Sequence, residues 1–220
     1  MNQALENLVP FREIKQEIRV LGIDDCPFKP HQQKTVMLLG VVFRGGLWFD
    51  GAMRTEVKVD GRDSTDKIVE MVLASRHYKQ LRVIMLDSLT VAGFNIIDLE
   101  KLNKKTKLPI LAITKDQPDN EKVKNALKNL RDWEERWKTI EKAGSLNQIL
   151  IGKTNLFVHI KGAAPEDARK IIRITSTRAN YPEPLRVAHL LAQALYGKST
   201  NKNKSNKCFF CLRNLSALNL

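Results

Sequence analysis

The chain has few cysteines and few aromatic residues, and it has no long apolar run. Three cysteines in 220 residues cannot form the disulfide framework of a secreted domain, so we expect a reducing, cytoplasmic location. The longest apolar stretch, residues 36–43, is too short to cross a bilayer, and residues 1–19 lack the apolar core of a secretion signal. These absences argue against a secreted protein and against a membrane partner.

Acidic residues are also scarce relative to basic ones. The chain has 24 Asp and Glu residues against 37 Lys and Arg residues, which gives a formal net charge of +13. A surplus of this size favours a polyanionic partner, most often nucleic acid, although a basic protein without such a partner is the simpler alternative. Part of the surplus lies in the C-terminal tail and therefore does not bear on the folded domain.

The spacing of the apolar residues predicts a mixed sheet in the first half of the chain. Strands are predicted over residues 17–24, 35–43, 47–59, 81–87 and 108–115. Gly45-Gly46 marks a hairpin turn after the second strand, and Gly51 marks a bulge in the third. A helix capped within residues 63–66 and a short helix over residues 96–102 precede the fourth and fifth strands. An antiparallel meander of three strands followed by parallel strands, with helices on both faces, is the order of the α/β ribonuclease-H-like fold.

The second half is predicted to be mainly helical. Residues 120–143 are predicted to form one long helix, residues 149–160 a hairpin, and residues 165–174 and 184–196 two helices that each begin with proline. Trp133 and Trp137 share the apolar stripe of the long helix, where aromatic residues more often contact a core than stack on bases.

Residues 1–197 form the predicted domain, and residues 198–220 form a polar, low-complexity tail that we expect to be disordered. The tail carries Cys208 and Cys211, which are half of a zinc-ribbon pattern with no second half.

Three aspartates stand at predicted strand ends: Asp24, Asp60 and Asp87. The first and fourth strands are predicted to run parallel and side by side, about 4.8 Å apart, so Asp24 and Asp87 can share one cation. Asp60 lies further across the sheet, and Asp63 is an alternative third carboxylate. Clustered carboxylate oxygens favour Mg²⁺, with Mn²⁺ also possible, whereas turn and capping roles are the structural alternative for each aspartate. Lys115 ends the fifth strand at the same edge and is expected beside Asp87.

Four separated motifs resemble those of the endonuclease V superfamily. Residues 173–189, with the run Pro-Glu-Pro-Leu-Arg-Val-Ala-His, are similar to its C-terminal segment, and Gly22-Ile-Asp24 resembles its first-strand motif. Asp87 followed by the strand that ends at Lys115 is similar to its metal-binding aspartate and lysine strand, and Asp60-Gly61 falls where the family has a glutamate. Residues 10–197 look most like an archaeal sister family, some members of which are called endonuclease dU.

The resemblance implies a catalytic site. Asp24, Asp60 and Asp87 would bind Mg²⁺, Lys115 would face the scissile phosphate, and His189 would lie near the metal. It implies hydrolysis of a phosphodiester bond in DNA near a deaminated base, and the sister family implies deoxyuridine. Candidate contacts to the nucleic acid are Arg173, Arg178, Arg186 and Ser88.

Residues 53–60 and 88–95 depart from the endonuclease V pattern, in segments that concern the flipped base in that family. The resemblance to endonuclease V therefore covers the metal chemistry and does not extend to inosine recognition. Two other functions stay open: a nucleic-acid-binding module without turnover, and a ribonuclease acting on structured or edited RNA. The sequence predicts no oligomeric state.

Overall fold

The computed structural model describes residues 11–29 and 32–196, and the tail predicted to be disordered lies outside these residues. The strands are β1 (Arg19–Asp25), β2 (Thr35–Arg44), β3 (Trp48–Lys58), β4 (Val83–Leu86), β5 (Thr90–Val91), β6 (Asn95–Ile96), β7 (Ile110–Thr114), β8 (Leu146–Ile151) and β9 (Thr154–Lys161). The helices are α1 (Ser64–Ala74), α2 (Leu99–Thr106), α3 (Asn120–Leu127), α4 (Trp133–Lys142), α5 (Pro165–Thr175) and α6 (Glu183–Tyr196).

Seven strands form one mixed sheet in the order β3-β2-β1-β4-β7-β9-β8. The strands β1, β2 and β3 form the predicted antiparallel meander, whereas β4 pairs in parallel with β1 and with β7. This is the predicted class of fold. The bulge predicted at Gly51 lies one residue earlier. Val42 pairs with Gly51 and Phe43 pairs with Phe49, so Asp50 has no partner in the ladder. The carboxylate of Asp50 instead accepts hydrogen bonds from two arginines of β1 and β2.

Both faces of the sheet are buried, which explains why β1, β2 and β4 are apolar at nearly every position. One core lies under α1 and α2 and includes Leu21, Ile23 and Leu86. The other lies under α5 and α6 and includes Val20, Met85 and Ile113. No helix in residues 11–29 and 32–196 is long and apolar enough to cross a membrane.

The single helix predicted over residues 120–143 is wrong, because the chain forms α3 and α4 with a turn over residues 128–132. In that turn, the N–H groups of Leu130 and Trp133 donate to carbonyls only three residues back. The carboxylate of Asp132 accepts a hydrogen bond from Arg136 Nε, one turn into α4, at 2.8 Å. The turn points α4 towards the loops that follow β3 and β5. Trp133 and Trp137 are half-buried and do not belong to either core.

The short helix predicted over residues 96–102 begins later, at Leu99. Residues 90–96 instead form a two-stranded ribbon, β5 and β6, which sequence periodicity did not indicate. Asp98 then caps α2 by accepting the Lys101 N–H at 2.8 Å. The predicted hairpin near residues 149–160 is present as β8 and β9.

Candidate active site

Two carboxylates lie together where β1 and β4 end. Ile23 is level with Leu86 in the parallel ladder, so the next residues, Asp24 and Asp87, stand on neighbouring strands at one edge of the sheet. The peptide N–H of Asp87 donates to the Ile23 carbonyl at 3.1 Å, which extends the pairing to the site itself. The two aspartates are only 5% and 8% exposed. Burial, and then the charge of Asp24, raise the pKa of Asp87 well above its usual range.

A third carboxylate, Asp25, is the last residue of β1 and directly follows Asp24. Its Oδ2 accepts the Ala92 N–H at 2.6 Å, and its own N–H donates to Asp24 Oδ1 at 2.9 Å. Burial, and then the charge of Asp24, raise the pKa of Asp25 to about 7. Three aspartates therefore share this edge, and the charge of Asp24 raises the pKa of both Asp25 and Asp87.

His189 reaches this edge from α6, 165 residues after Asp24, and its Nδ1 lies 2.8 Å from Asp24 Oδ2. The contact depends on Gly22, because a Cβ at that position would lie 2.4 Å from the backbone carbon of Pro184. The first turn of α6 therefore packs directly on β1. This contact explains the glycine of the Gly-Ile-Asp motif.

Tyr181 and Lys115 complete the described surroundings of Asp87. The hydroxyl of Tyr181 donates to Asp87 Oδ1 and also lies 3.3 Å from the Ile113 carbonyl oxygen. The exposed Lys115 follows β7, and its Nζ stands 4.6 Å from the centre of the Tyr181 ring. Its positive charge opposes the rise in the pKa of Asp87, with a smaller effect than burial and the charges of Asp24 and Asp25. Asp87 and Lys115 therefore share one site, as the parallel strands predicted.

Asp60 lies beside the loop that follows β5, in a left-handed conformation with φ of 50°. Its Oδ1 accepts the Phe94 N–H at 2.8 Å, and its N–H donates to the Ala92 carbonyl at 2.9 Å. It is joined to the other carboxylates through Ala92, which also binds Asp25. The alternative, Asp63, accepts hydrogen bonds from the Lys58 N–H and the Asn95 amide but makes no capping hydrogen bond to α1, whose Ser64 N–H donates to Asn95 Oδ1 instead. The role of Asp60 as a metal ligand stays a prediction.

The donor set suits a divalent cation. In residues 11–29 and 32–196, no group of three or more His, Cys, Asp or Glu side chains is arranged to hold a metal ion. Mg²⁺ rarely needs such a group, because it usually binds one or two carboxylates and completes its shell with water and substrate phosphate. Asp24 and Asp87 are paired hard-oxygen donors with mutual repulsion that a cation would relieve. The residues present fit Mg²⁺, and Mn²⁺ by the same chemistry.

The candidate contacts to nucleic acid differ in their surroundings. Arg173 is exposed in the last turn of α5, and Arg178 is exposed in the segment that follows this helix. Arg186 instead binds Glu183 through three hydrogen bonds of 2.9, 3.0 and 2.6 Å, and Glu183 is only 2% exposed. Ser88 accepts the Thr90 N–H at 3.1 Å and closes the turn after Asp87. All four assignments stay predictions, and that of Arg186 competes with a structural role.

Sequence reasoning missed Tyr181, Asp25 and Arg136. Tyr181 directly precedes the Pro-Glu-Pro run and could have been found by its place in the motif. Asp25 is adjacent to Asp24, but only the loop at Ala92 reveals that it is held in the site. Arg136 gave no signal, since it sits among charged residues of a helix with many of them.

Comparisons with known proteins agree with these motifs. A family model described as Endonuclease dU matches residues 16–196. The UPF0215 protein of Methanothermobacter thermautotrophicus is 49% identical over 186 residues, which cover 84% of this chain and 91% of that protein. A crystal structure of a protein of unknown function from Archaeoglobus fulgidus is 34% identical, with a TM-score of 0.74 over 81% of this chain and 98% of that one.

More distant solved structures share the fold. Ciona intestinalis endonuclease V, solved in complex with an inosine-containing DNA, is 16% identical with a TM-score of 0.55, covering 82% of this chain and 86% of that one. The likeness bears out the predicted ribonuclease-H-like fold.

Proposed function

The chain belongs to the endonuclease dU family, and from this membership and the geometry at Asp24 and Asp87 we propose that it is a Mg²⁺-dependent endonuclease that cuts DNA beside a deaminated base, deoxyuridine in particular. Family and fold together indicate a nuclease. The cation, the DNA substrate and the lesion are the parts that we propose.

One observation carries the proposal. Asp24 and Asp87 are buried and stand on adjacent parallel strands, where burial, and then the charge of Asp24, raise the pKa of Asp87 well above its usual range. Two buried carboxylates that repel each other destabilise the folded state, and such groups are typical of functional sites. They lie at the carboxyl ends of parallel strands, where open α/β sheets bind their ligands. When bound there, Mg²⁺ would supply Lewis-acid stabilisation of the charge on the reacting phosphate.

The protein's own residues prepare this edge. His189 holds Asp24 through its Nδ1, and Tyr181 holds Asp87 through its hydroxyl, so both carboxylates are fixed before substrate arrives. Lys115 presents a positive charge at the exposed rim, where it would face the phosphate. Orienting both ligands in advance lowers the reorganisation needed when the cation and the phosphate bind.

The choice of DNA and of deoxyuridine rests on family membership, on the basic composition and on the inosine-containing DNA bound by Ciona endonuclease V. The loop at residues 92–94 adjoins the carboxylates, so a base bound at this edge would contact it.

A cleavage panel tests the proposal. End-labelled strands with deoxyuridine, deoxyinosine, a mismatch or no lesion, and matching RNA strands, are incubated with the full chain and Mg²⁺ or EDTA. We expect a cut beside deoxyuridine that requires Mg²⁺ and is lost in Asp87→Asn. Binding without any cleavage would instead identify a silent module, and preferred cleavage of RNA would identify a ribonuclease.

A further inference from the structure

Arg136 is a buried arginine that takes no part in the site as described so far. It lies on α4, and only 6% of its surface is exposed. Its guanidinium makes four hydrogen bonds, to the carbonyl oxygens of Asp60 and Gly61 at 2.8 Å, to that of Phe94 at 2.5 Å, and to Asp132 Oδ1 at 2.8 Å. Three of these four acceptors are backbone groups of the two loops beside the carboxylates.

The loops that Arg136 joins are strained. Asp60 and Ala92 adopt left-handed backbone conformations, with φ of 50° and 47°. Alanine gains nothing from this region, so the loop must be held there by its neighbours. Gly93 also lies so close to Asp60 that a Cβ at position 93 would be 2.3 Å from Asp60 Oδ1. The strained backbone lies beside the carboxylates, so the residue that binds it, Arg136, is a candidate for positioning them.

A continuous path of hydrogen bonds leads from Arg136 to the site. Arg136 binds the Asp60 carbonyl, the Asp60 N–H donates to the Ala92 carbonyl at 2.9 Å, and the Ala92 N–H donates to Asp25 Oδ2 at 2.6 Å. The Asp25 N–H in turn donates to Asp24 Oδ1 at 2.9 Å. Each step fixes the next group, so α4 is coupled to the carboxylates although it does not touch them.

We propose that Arg136 is a positioning residue for the cation site: it clamps Asp60 and Phe94, and through Ala92 it keeps Asp25 and Asp24 in place. The inference rests on the proposed function, because it assumes that these carboxylates bind a divalent cation. A planar guanidinium reaches three carbonyls from two nitrogens, whereas the ammonium of lysine is a single point and cannot reproduce this fork.

The test compares Arg136→Lys with Arg131→Lys in the full chain. Arg131 is an exposed arginine in the turn before α4, so its substitution is a matched control. Mn²⁺ serves as the probe, and its affinity is measured by electron paramagnetic resonance in the absence of nucleic acid. We expect Arg136→Lys to bind Mn²⁺ about 10–100-fold more weakly, as is typical when a group that orients metal ligands is removed, and Arg131→Lys to match the wild type.

Amide hydrogen exchange is the second readout. In Arg136→Lys the amides of Ala92 and Phe94 should lose protection, while the Val41 amide in the centre of β2 keeps it and reports an intact sheet. If Arg136→Lys does not fold, Asp132→Asn replaces it, because Asp132 is partly exposed and anchors Arg136 from outside. That variant should show a smaller loss of Mn²⁺ affinity in the same direction.

The outcomes separate the two proposals. Unchanged Mn²⁺ affinity in a folded Arg136→Lys protein overturns the positioning role and leaves the proposed function intact. A wild-type chain that binds no Mn²⁺ overturns the proposed cation site and with it the positioning of that site. Weakened Mn²⁺ binding with unchanged protection of Ala92 and Phe94 also overturns the path described here, since the effect would then reach the carboxylates by another route.

Discussion

Tyr181 donates a hydrogen bond to Asp87, and this contact joins the residue before the Pro-Glu-Pro run to the end of β4. The donor favours the ionised form of Asp87, whereas burial and Asp24 favour the protonated form. Tyr181 is therefore the neighbour that most directly keeps this carboxylate able to bind a cation. The ring also contacts Lys115, so the same side chain lies between the proposed metal ligand and the proposed phosphate contact.

Tyr181→Phe should shift the pH dependence of cleavage. Loss of the hydroxyl removes the hydrogen bond that lowers the pKa of Asp87, so this pKa rises further and ionised Asp87 appears only at higher pH. The acidic limb of the pH–rate profile should therefore move to higher pH. Tyr78→Phe is the control, because the Tyr78 hydroxyl bonds the Thr106 carbonyl away from the site. Equal profiles for Tyr181→Phe and wild type would contradict the assignment.

Asp87→Asn should abolish cleavage without unfolding the protein. The amide oxygen can still accept from Tyr181, while the repulsion from Asp24 and Asp25 disappears. We expect a melting temperature equal to or above that of the wild type, measured by circular dichroism without metal. Asp116→Asn, at an exposed position after Lys115, should keep full activity. Undiminished cleavage by Asp87→Asn would show that the active site does not include this edge of the sheet.

Arg178 and Arg186 should respond differently to substitution. Arg178 is exposed, so Arg178→Ala should weaken DNA binding and reduce the slope of log affinity against log salt by about 1, the effect of one phosphate contact. Arg186→Ala leaves the buried Glu183 without its partner, so it should cost about 3 kcal/mol of unfolding free energy. Binding titrations at several salt concentrations and urea unfolding separate the two effects. A stable Arg186→Ala protein would show that Glu183 is satisfied in another way.

Cys26 should be inert in the folded protein. The thiol is 2% exposed, and burial followed by the charges of Asp25 and Asp24 raises its pKa to about 11. At pH 8 only about one thiol in a thousand would be ionised, and the thiolate is the reactive form. With Cys208 and Cys211 replaced by serine, a thiol reagent should label the chain only in denaturant. Rapid labelling of the native protein would mean that β1 opens at its end.

The sequence predicted those parts of the site that follow from strand order. Buried parallel strands appear in the sequence as short apolar runs. Three of these runs are followed by Asp24, Asp87 and Lys115, and these residues were therefore predicted to lie together. His189 was found only through its motif, since nothing local on α6 separates it from a core histidine.

Contacts between distant loops could not be predicted in this way. Ala92 binds Asp25 across 67 positions, and Arg136 binds Asp60 across 76. Local propensity carries no information about such pairs. The break between α3 and α4 was also missed, and its consequence, the contact of Arg136 with the backbone of residues 60, 61 and 94, appears only when the loops are in place.

The close approach of Gly22 to Pro184 has a consequence for the order in which activity is acquired during synthesis. The first strand leaves the ribosome early, but the helix that packs on it, and the histidine that orients Asp24, are translated 165 residues later. A nascent chain can therefore pair β1 with β2 while its carboxylates still lack His189 and Tyr181. The residues that orient the two carboxylates are therefore the last part of the site to be translated, and a chain that ends before Tyr181 and His189 lacks the complete site.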